Sequence, residues 1–240
     1  MRLVPASELA LADFAALWTA AYEGYFVPVH VDEAALAAIV DSWDIDLARS
    51  RVALDGDARL GFANLAVREH GAWIGGVGVV PAARRGGVGR ALMEAILGDA
   101  PRPVTLEVIE QNEAAIALYE LLGFERTRIL EVWSLHEAPL VEARKVDPAP
   151  LGLSGLPWQR ADESLPAGYE RVEVDGGALL VRGGNVLQLR AEDEDAAVAL
   201  LSRGRPLTYV NVPEGDVASG ALRRLGGELT LRQFELEPLR

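Results

Sequence analysis

An apolar run that breaks on arginine and glycine and restarts at helical spacing, VGVVPAARRGGVGRALM from Val77 to Met93, dictates a strand, a tight turn and a helix in immediate succession. Val88, Ala91, Leu92, Ala95 and Ile96 recur at i, i+3, i+4, i+7 and i+8, with Gly98 as the expected stop. Gly86, Gly87 and Gly89 allow close backbone approach, and the unpaired N–H groups of the helix start favour an anion. Arg84, Arg85 and Arg90 add positive charge. The stretch therefore reads as a phosphate site. No Gly-Lys-Ser/Thr occurs, which excludes a Walker A loop. A dinucleotide fingerprint fails as well, because its third glycine position is Leu92 and the preceding strand reads as one arm of a hairpin.

The rest of the first half fits around that motif. Ser7 or Asp32 can cap helices whose apolar faces carry Phe14, Leu17, Trp18 and Ala21, then Leu36, Ile39 and Val40. Leu60–Glu69 and Ala72–Val80 flank His70-Gly71 as a hairpin. Val104–Ile109 is a strand; Asn112 opens a helix with Ala115, Leu118, Tyr119 and Leu122 on one face; Gly123 ends it, and Phe124–Leu135 returns as a strand. The predicted order is αα–ββ–α–β–α–β. Five prolines between Pro139 and Pro166 then read as a connector. Beyond it, Pro206–Thr230 aligns without a gap to Pro103–Thr127, pairing Thr105 with Thr208, Gly123 with Gly226 and Glu125 with Glu228. Upstream of that block, Ala178–Val181 and Val186–Arg190 suit a strand pair and Asp195–Leu201 a helix, so the second half reads as a shortened copy.

Composition narrows the chemistry. The 240 residues contain no cysteine and three scattered histidines, which removes thiolate chemistry and makes a protein-built metal site an unfavoured reading. A formal charge of −13 repels a nucleic-acid backbone and favours a cationic, amine-bearing partner. Arginine outnumbers lysine 22 to 1, the single lysine being Lys145. No apolar run is long enough to span a bilayer, and Glu8 and Asp13 interrupt any signal peptide, so the expected location is cytoplasmic, with no membrane partner.

Two motifs carry a family resemblance. Arg84-x-x-Gly87-x-Gly89, after the strand end Val79-Val80-Pro81, is similar to the pyrophosphate loop of the GNAT superfamily of acyl-CoA-dependent N-acetyltransferases. Asn112, Ala115, Leu118, Tyr119, Gly123 and Phe124 fall in register with that family's N-x-x-A-x-x-L-Y-x-x-x-G-F element. The resemblance implies an α/β fold with a mixed sheet and acetyl-CoA as the acyl donor. It places pantetheine along Val77–Val79, pyrophosphate on the loop from Arg84 through Arg85, Gly86, Gly87, Val88 and Gly89 to Arg90, and a cofactor contact at Asn112. Tyr119 becomes the general acid toward the leaving thiolate, whose ordinary pKa of about 8.5 lies near that of a phenol. The glutamate that family members often carry on the fourth strand is missing from Ile74-Gly75-Gly76-Val77-Gly78. Glu107 is the leading candidate base, with Glu69, His70, His30 and Tyr25 behind it. Trp18, Tyr22, Tyr25, Phe26 and Trp133 could wall an acceptor pocket.

In the aligned second half, Gly215 and Leu222 replace Asn112 and Tyr119, and no arginine-glycine loop precedes its first helix. The expectation is a complete catalytic domain over residues 1–136, a proline-rich connector over 137–164, and a smaller degenerate GNAT-like domain over 165–240. The chain would move an acetyl group from acetyl-CoA to a primary amine by direct attack, on a small molecule in preference to a protein N-terminus. A non-catalytic acyl-CoA sensor or scaffold is the alternative, and a homo-oligomer is left open.

Overall fold

The computed structural model describes residues 1–239. The chain runs β1 (Arg2–Pro5), α1 (Leu11–Ala21), α2 (Glu33–Ser42), β2 (Arg51–Asp55), β3 (Ala58–Arg68), β4 (Gly71–Val79), α3 (Val88–Asp99), β5 (Val104–Ile109), α4 (Glu113–Leu121) and β6 (Phe124–Leu135). It continues with β7 (Arg144–Val146), β8 (Glu170–Val174), β9 (Gly177–Arg182), β10 (Asn185–Ala191), α5 (Glu194–Leu201), β11 (Leu207–Pro213), α6 (Val217–Arg224) and β12 (Glu228–Pro238). These elements form two compact units. Unit 1 holds Met1–Thr127 and the C-terminal residues from Glu235 onward, and unit 2 holds Arg128–Phe234. The start of β6 and the end of β12 thus belong to unit 1, their remainders to unit 2.

Within unit 1 the strand order is β1-β2-β3-β4-β5-β12. β1 through β4 pair antiparallel in sequence order, and β4 pairs with β5 in parallel through the α3 crossover. The helices cover the sheet where their apolar stripes demand it. Phe14 and Trp18 of α1 pack on Phe62 of β3, with ring centroids 5.5 and 4.9 Å away. Leu92, Met93 and Ile96 of α3 are fully buried. Asp32 caps α2 as expected, its carboxylate accepting the Ala35 N–H at 2.8 Å. Ser7 caps nothing: it lies in a 3-10 turn, and α1 begins after Ala10 without a side-chain cap. Gly98 does not end α3, which runs on to Asp99. β1 and β2 escaped the sequence reading because both are short, at four and five residues.

The glycine load of β4 has a packing cause. A Cβ on Gly78 would sit 2.8 Å from both Ala21 Cβ and the Phe62 ring, and one on Gly75 would sit 2.3 Å from the Trp73 ring. Only bare backbone lets α1 come this close to the sheet.

Unit 2 has the order β12-β6-β11-β10-β9-β8-β7 around a core of Trp133, Leu179, Leu200, Tyr209 and Leu222. Its elements β11, α6 and β12 recur from β5, α4 and β6 at the offset that separates Val104 from Leu207, so the internal repeat is one of structure as well as sequence. The proline-rich stretch contains an edge strand, β7, paired antiparallel with β8. No described helix is long and apolar enough to cross a membrane. Leu236, four residues from the C-terminus, is fully buried. Terminal residues usually tolerate substitution, but Leu236→Ala should cost about 2–5 kcal/mol in a urea unfolding titration; an unchanged midpoint would mean that the terminal strand is dispensable to the fold.

Candidate active site

The site begins where two strands part. β4 pairs with β5 only from Ala72↔Val104 to Ile74↔Leu106, yet it continues to Val79 against β3. The β3–β4 register shifts between Asn64 and Leu65, so that Gly75 is the extra residue of a bulge, and Gly76 follows it at φ +156°. From Gly75 onward, the edge of β4 that faced β5 has no strand partner among the described residues. Val77 and Val79 both lie on this freed edge.

The arginine-glycine turn lies at the end of that edge. Pro81–Ala83 forms a 3-10 turn, Arg85 adopts φ 64°, and Gly87 adopts φ 79° in the left-handed region that admits glycine without strain. The first internal bond of α3 runs from the Ala91 N–H to the Gly87 carbonyl, which leaves the N–H groups of Val88, Gly89 and Arg90 at the open helix end. A Cβ on Gly87 would meet nothing within 4 Å, so the space in front of the turn is clear. Arg84 is turned to a different task. Its guanidinium donates to the carbonyls of Val79, Ala21 and Glu23 at 3.0, 3.2 and 2.7 Å, pinning the loop to the C-terminus of α1. Arg85 is exposed, and Arg90 pairs with Glu94 at 2.7 Å.

Three tyrosines and an asparagine converge beside the split. Asn112 caps α4 through the Ala115 N–H at 3.3 Å, and its carboxamide reaches the Tyr25 hydroxyl. Tyr119 is buried at 6 % exposure with Phe124 against its ring, and Tyr22 stacks edge-on to Tyr25 at 4.9 Å. Burial pushes the Tyr22, Tyr25 and Tyr119 phenols above the ordinary value of about 10, and the proximity of Tyr25 raises Tyr22 and Tyr119 further. Each therefore holds its proton across the neutral range.

Glu107 follows Leu106, the last residue of β5 paired with β4, and accepts a hydrogen bond from Trp73 Nε1 at 2.6 Å. The Trp73 ring stands edge-on to Trp43, 5.5 Å away. Opposite Gly76 lies a residue that the sequence reading passed over. Asn64 of β3 is fully buried, and neither its Oδ1 nor its Nδ2 has a hydrogen-bond partner. Leaving such a group unpaired costs about 1–3 kcal/mol. A Cβ on Gly76 would lie 3.2 Å from the Tyr22 hydroxyl and 3.7 Å from Asn64 Nδ2, so both polar groups flank the bulge. The available signal was a lone amide within the apolar run LGFANLAV.

The acetyltransferase (GNAT) family model matches residues 12–124. Residues 12–124 are a domain of the GNAT acetyltransferase family. No curated relative matches the chain. Among solved structures, a Pyrococcus horikoshii protein aligns over 100% of this chain and 89% of its own at TM-score 0.72 and 18% identity. A GCN5-related N-acetyltransferase from Sphaerobacter thermophilus aligns over 98% and 94% at TM-score 0.69 and 17% identity. A tandem GNAT protein from the clavulanic acid biosynthesis pathway aligns over 98% and 97% at TM-score 0.66 and 17% identity. These likenesses extend the GNAT fold, in its tandem form, over the whole chain.

The remaining GNAT site candidates disperse. Glu69 and His70 are exposed at the β3–β4 turn, and His30 is exposed on the groove lined by Ala12, Ala16 and Thr19. Phe26 is 53% exposed beside Tyr25. Trp133 belongs to the core of unit 2, donating to Glu131 at 3.0 Å under the Arg223 guanidinium.

Unit 2 contains a second strand parting, and the chain fills it. β10 and β11 pair in parallel only at Asn185↔Thr208 and Val186↔Tyr209. Beyond that point Arg160, 3% exposed, donates to the Leu187 carbonyl of β10 and the Asn211 carbonyl of β11, at 3.4 and 2.8 Å, and to the Tyr209 hydroxyl. Gln188 holds the segment in place by donating to the Arg160 carbonyl at 2.9 Å. The proline-rich stretch thus occupies in unit 2 the kind of space left open in unit 1. Arg160→Ala would strand two carbonyls and a hydroxyl and should lower unfolding stability by about 2–4 kcal/mol; a denaturation midpoint equal to that of the parent would show the contact to be incidental.

Proposed function

We propose that unit 1 transfers an acetyl group from acetyl-CoA to the primary amine of a small, cationic acceptor. The observation that carries this reading is the parting of β4 from β5 beyond Ile74, with a glycine-rich helix start at its end. Bound there, acetyl-CoA would supply an activated thioester. The freed edge of β4 from Gly75 to Val79 offers backbone groups to an extended amide-bearing arm, and the N–H groups of Val88, Gly89 and Arg90 offer an anion site. Arg84 acts through the loop, which its three backbone contacts hold still.

Glu107 is the proposed base. It stands at the fork of the strands, is held by Trp73, and takes the place of the carboxylate missing from β4. Its charge, within a chain of net charge −13, suits an ammonium-bearing acceptor. Tyr119 is the proposed acid: burial keeps the phenol protonated, ready to donate to a departing thiolate. Asn64 would orient the acceptor, because its unpaired amide and the Tyr22 hydroxyl are the polar groups flanking the bulge on that face.

The following measurements test the reading. Gly87→Glu puts a carboxylate in front of the helix start, so it should abolish acetyl-CoA binding in a calorimeter while a circular dichroism melt reports an intact fold. The parent should bind one equivalent, because Arg160 fills the second parting; two equivalents would overturn that account. Tyr119→Phe should lower kcat by about 10²–10⁴ with little change in KM. Since its pKa is raised, the donor form persists to above about pH 10, and a loss of rate near pH 8 that disappeared in the Phe variant would contradict the assignment. Asn64→Leu removes an unsatisfied buried amide and should leave the melting temperature equal or higher, while lowering kcat/KM for the amine at least tenfold. An unchanged kcat/KM would confine Asn64 to packing.

A further inference from the structure

Unit 2 carries a concentration of positive charge that acetyl transfer does not use. Lys145, the single lysine of the chain, lines a cavity of about 210 Å³ together with Arg203 and Arg205. Glu170 is the one acidic residue in its wall, and Leu140 and Val172 supply apolar surface. Three cations against one carboxylate leave the lining at +2, in a protein whose net charge is −13.

The three cations are engaged unequally. Lys145 Nζ lies 2.9 Å from Glu170, and Arg205 is within electrostatic reach of the same carboxylate. Arg203 is fixed in place by Nη2, which donates to the Val141 and Ser202 carbonyls, whereas its Nε is buried without an acceptor. Arg205 makes no hydrogen bond and no ion pair within 4 Å among the described residues, and its Nε is also buried without a partner. Burial and the nearby Arg205 both disfavour the charged form of Arg203. Two guanidinium groups with unused donors, crowded together and partly withdrawn from water, are costly by themselves. An oxyanion in the cavity would relieve the repulsion between the two guanidinium groups. The volume equals that of about seven water molecules at roughly 30 Å³ each, enough for a phosphate group and a few attached atoms.

We propose that Arg203, Arg205 and Lys145 form a binding site for a dianionic phosphate group, either free or on a small phosphomonoester. A phosphate dianion matches the +2 lining, and its three or four oxygens suit the converging guanidinium donors. The inference is independent of the acetyl-transfer reading, since every residue in it belongs to unit 2.

The test titrates the full-length protein with potassium phosphate and, separately, with glycerol 2-phosphate, at constant ionic strength set by chloride, in a calorimeter. Saturable binding of one equivalent is expected at unit 2, and Arg205→Ala should weaken it at least tenfold with little change in melting temperature, because Arg205 makes no hydrogen bond and no ion pair within 4 Å among the described residues. Arg85→Ala, on the glycine loop of unit 1, should leave that binding in place. Tighter binding of glycerol 2-phosphate than of phosphate would identify the ligand as an ester, and equal affinity would identify free phosphate. Binding that survives Arg205→Ala, binding that is lost in Arg85→Ala, or no saturable heat up to 10 mM of either probe, a concentration on the order of a weak-site Kd, would overturn the proposal.

Discussion

Strand β4 can be hydrogen-bonded on both edges only as far as Ile74, and the site of unit 1 follows from that limit. The bulge at Gly75 breaks the ladder on the β3 side and re-aims the strand, and from there to Val79 the other edge has no strand partner among the described residues. The same glycines let α1 press onto the sheet, because Gly78 leaves room for Ala21 and Phe62. Close packing then sets the position of Tyr22 against Gly76, and Arg84 ties the glycine turn to the end of α1. A side chain at Gly78 would disturb the loop and the tyrosine cluster through one and the same helix.

Unit 2 has a parting of its own, which the chain itself closes. Its strands separate after Val186↔Tyr209, and the backbone carbonyls thus exposed need donors. Arg160 supplies them, with Gln188 bonding in turn to the Arg160 carbonyl, the Asp162 carboxylate and the Leu151 N–H. A buried guanidinium is tolerated here because its donors find carbonyl and hydroxyl oxygens.

Local chemistry made parts of the site legible in the sequence. Glycine admits the positive φ that a tight turn or a helix end requires, so the turn at Gly86-Gly87 and the end of α4 at Gly123 could be read directly. Asn112 could be read as a cap because the bond it makes spans three residues. No local pattern shows that the Arg84 guanidinium reaches the Glu23 carbonyl, 61 positions away. Gly98 misled because α3 packs strongly enough through Leu92 and Ile96 to continue past it.

The sequence by itself determined the order of elements in unit 1 from α3 to β6, the anion-suited helix start, and the internal repeat, since each depends on torsions, caps and periodicities spanning a few residues. Tertiary structure alone decided where β4 and β5 part, that Trp73 holds Glu107, that Asn64 lies unpaired beside Tyr22, and that Arg160 closes the second parting. Those outcomes depend on groups tens of positions apart competing for the same backbone donors and the same space, and only the packed chain resolves that competition.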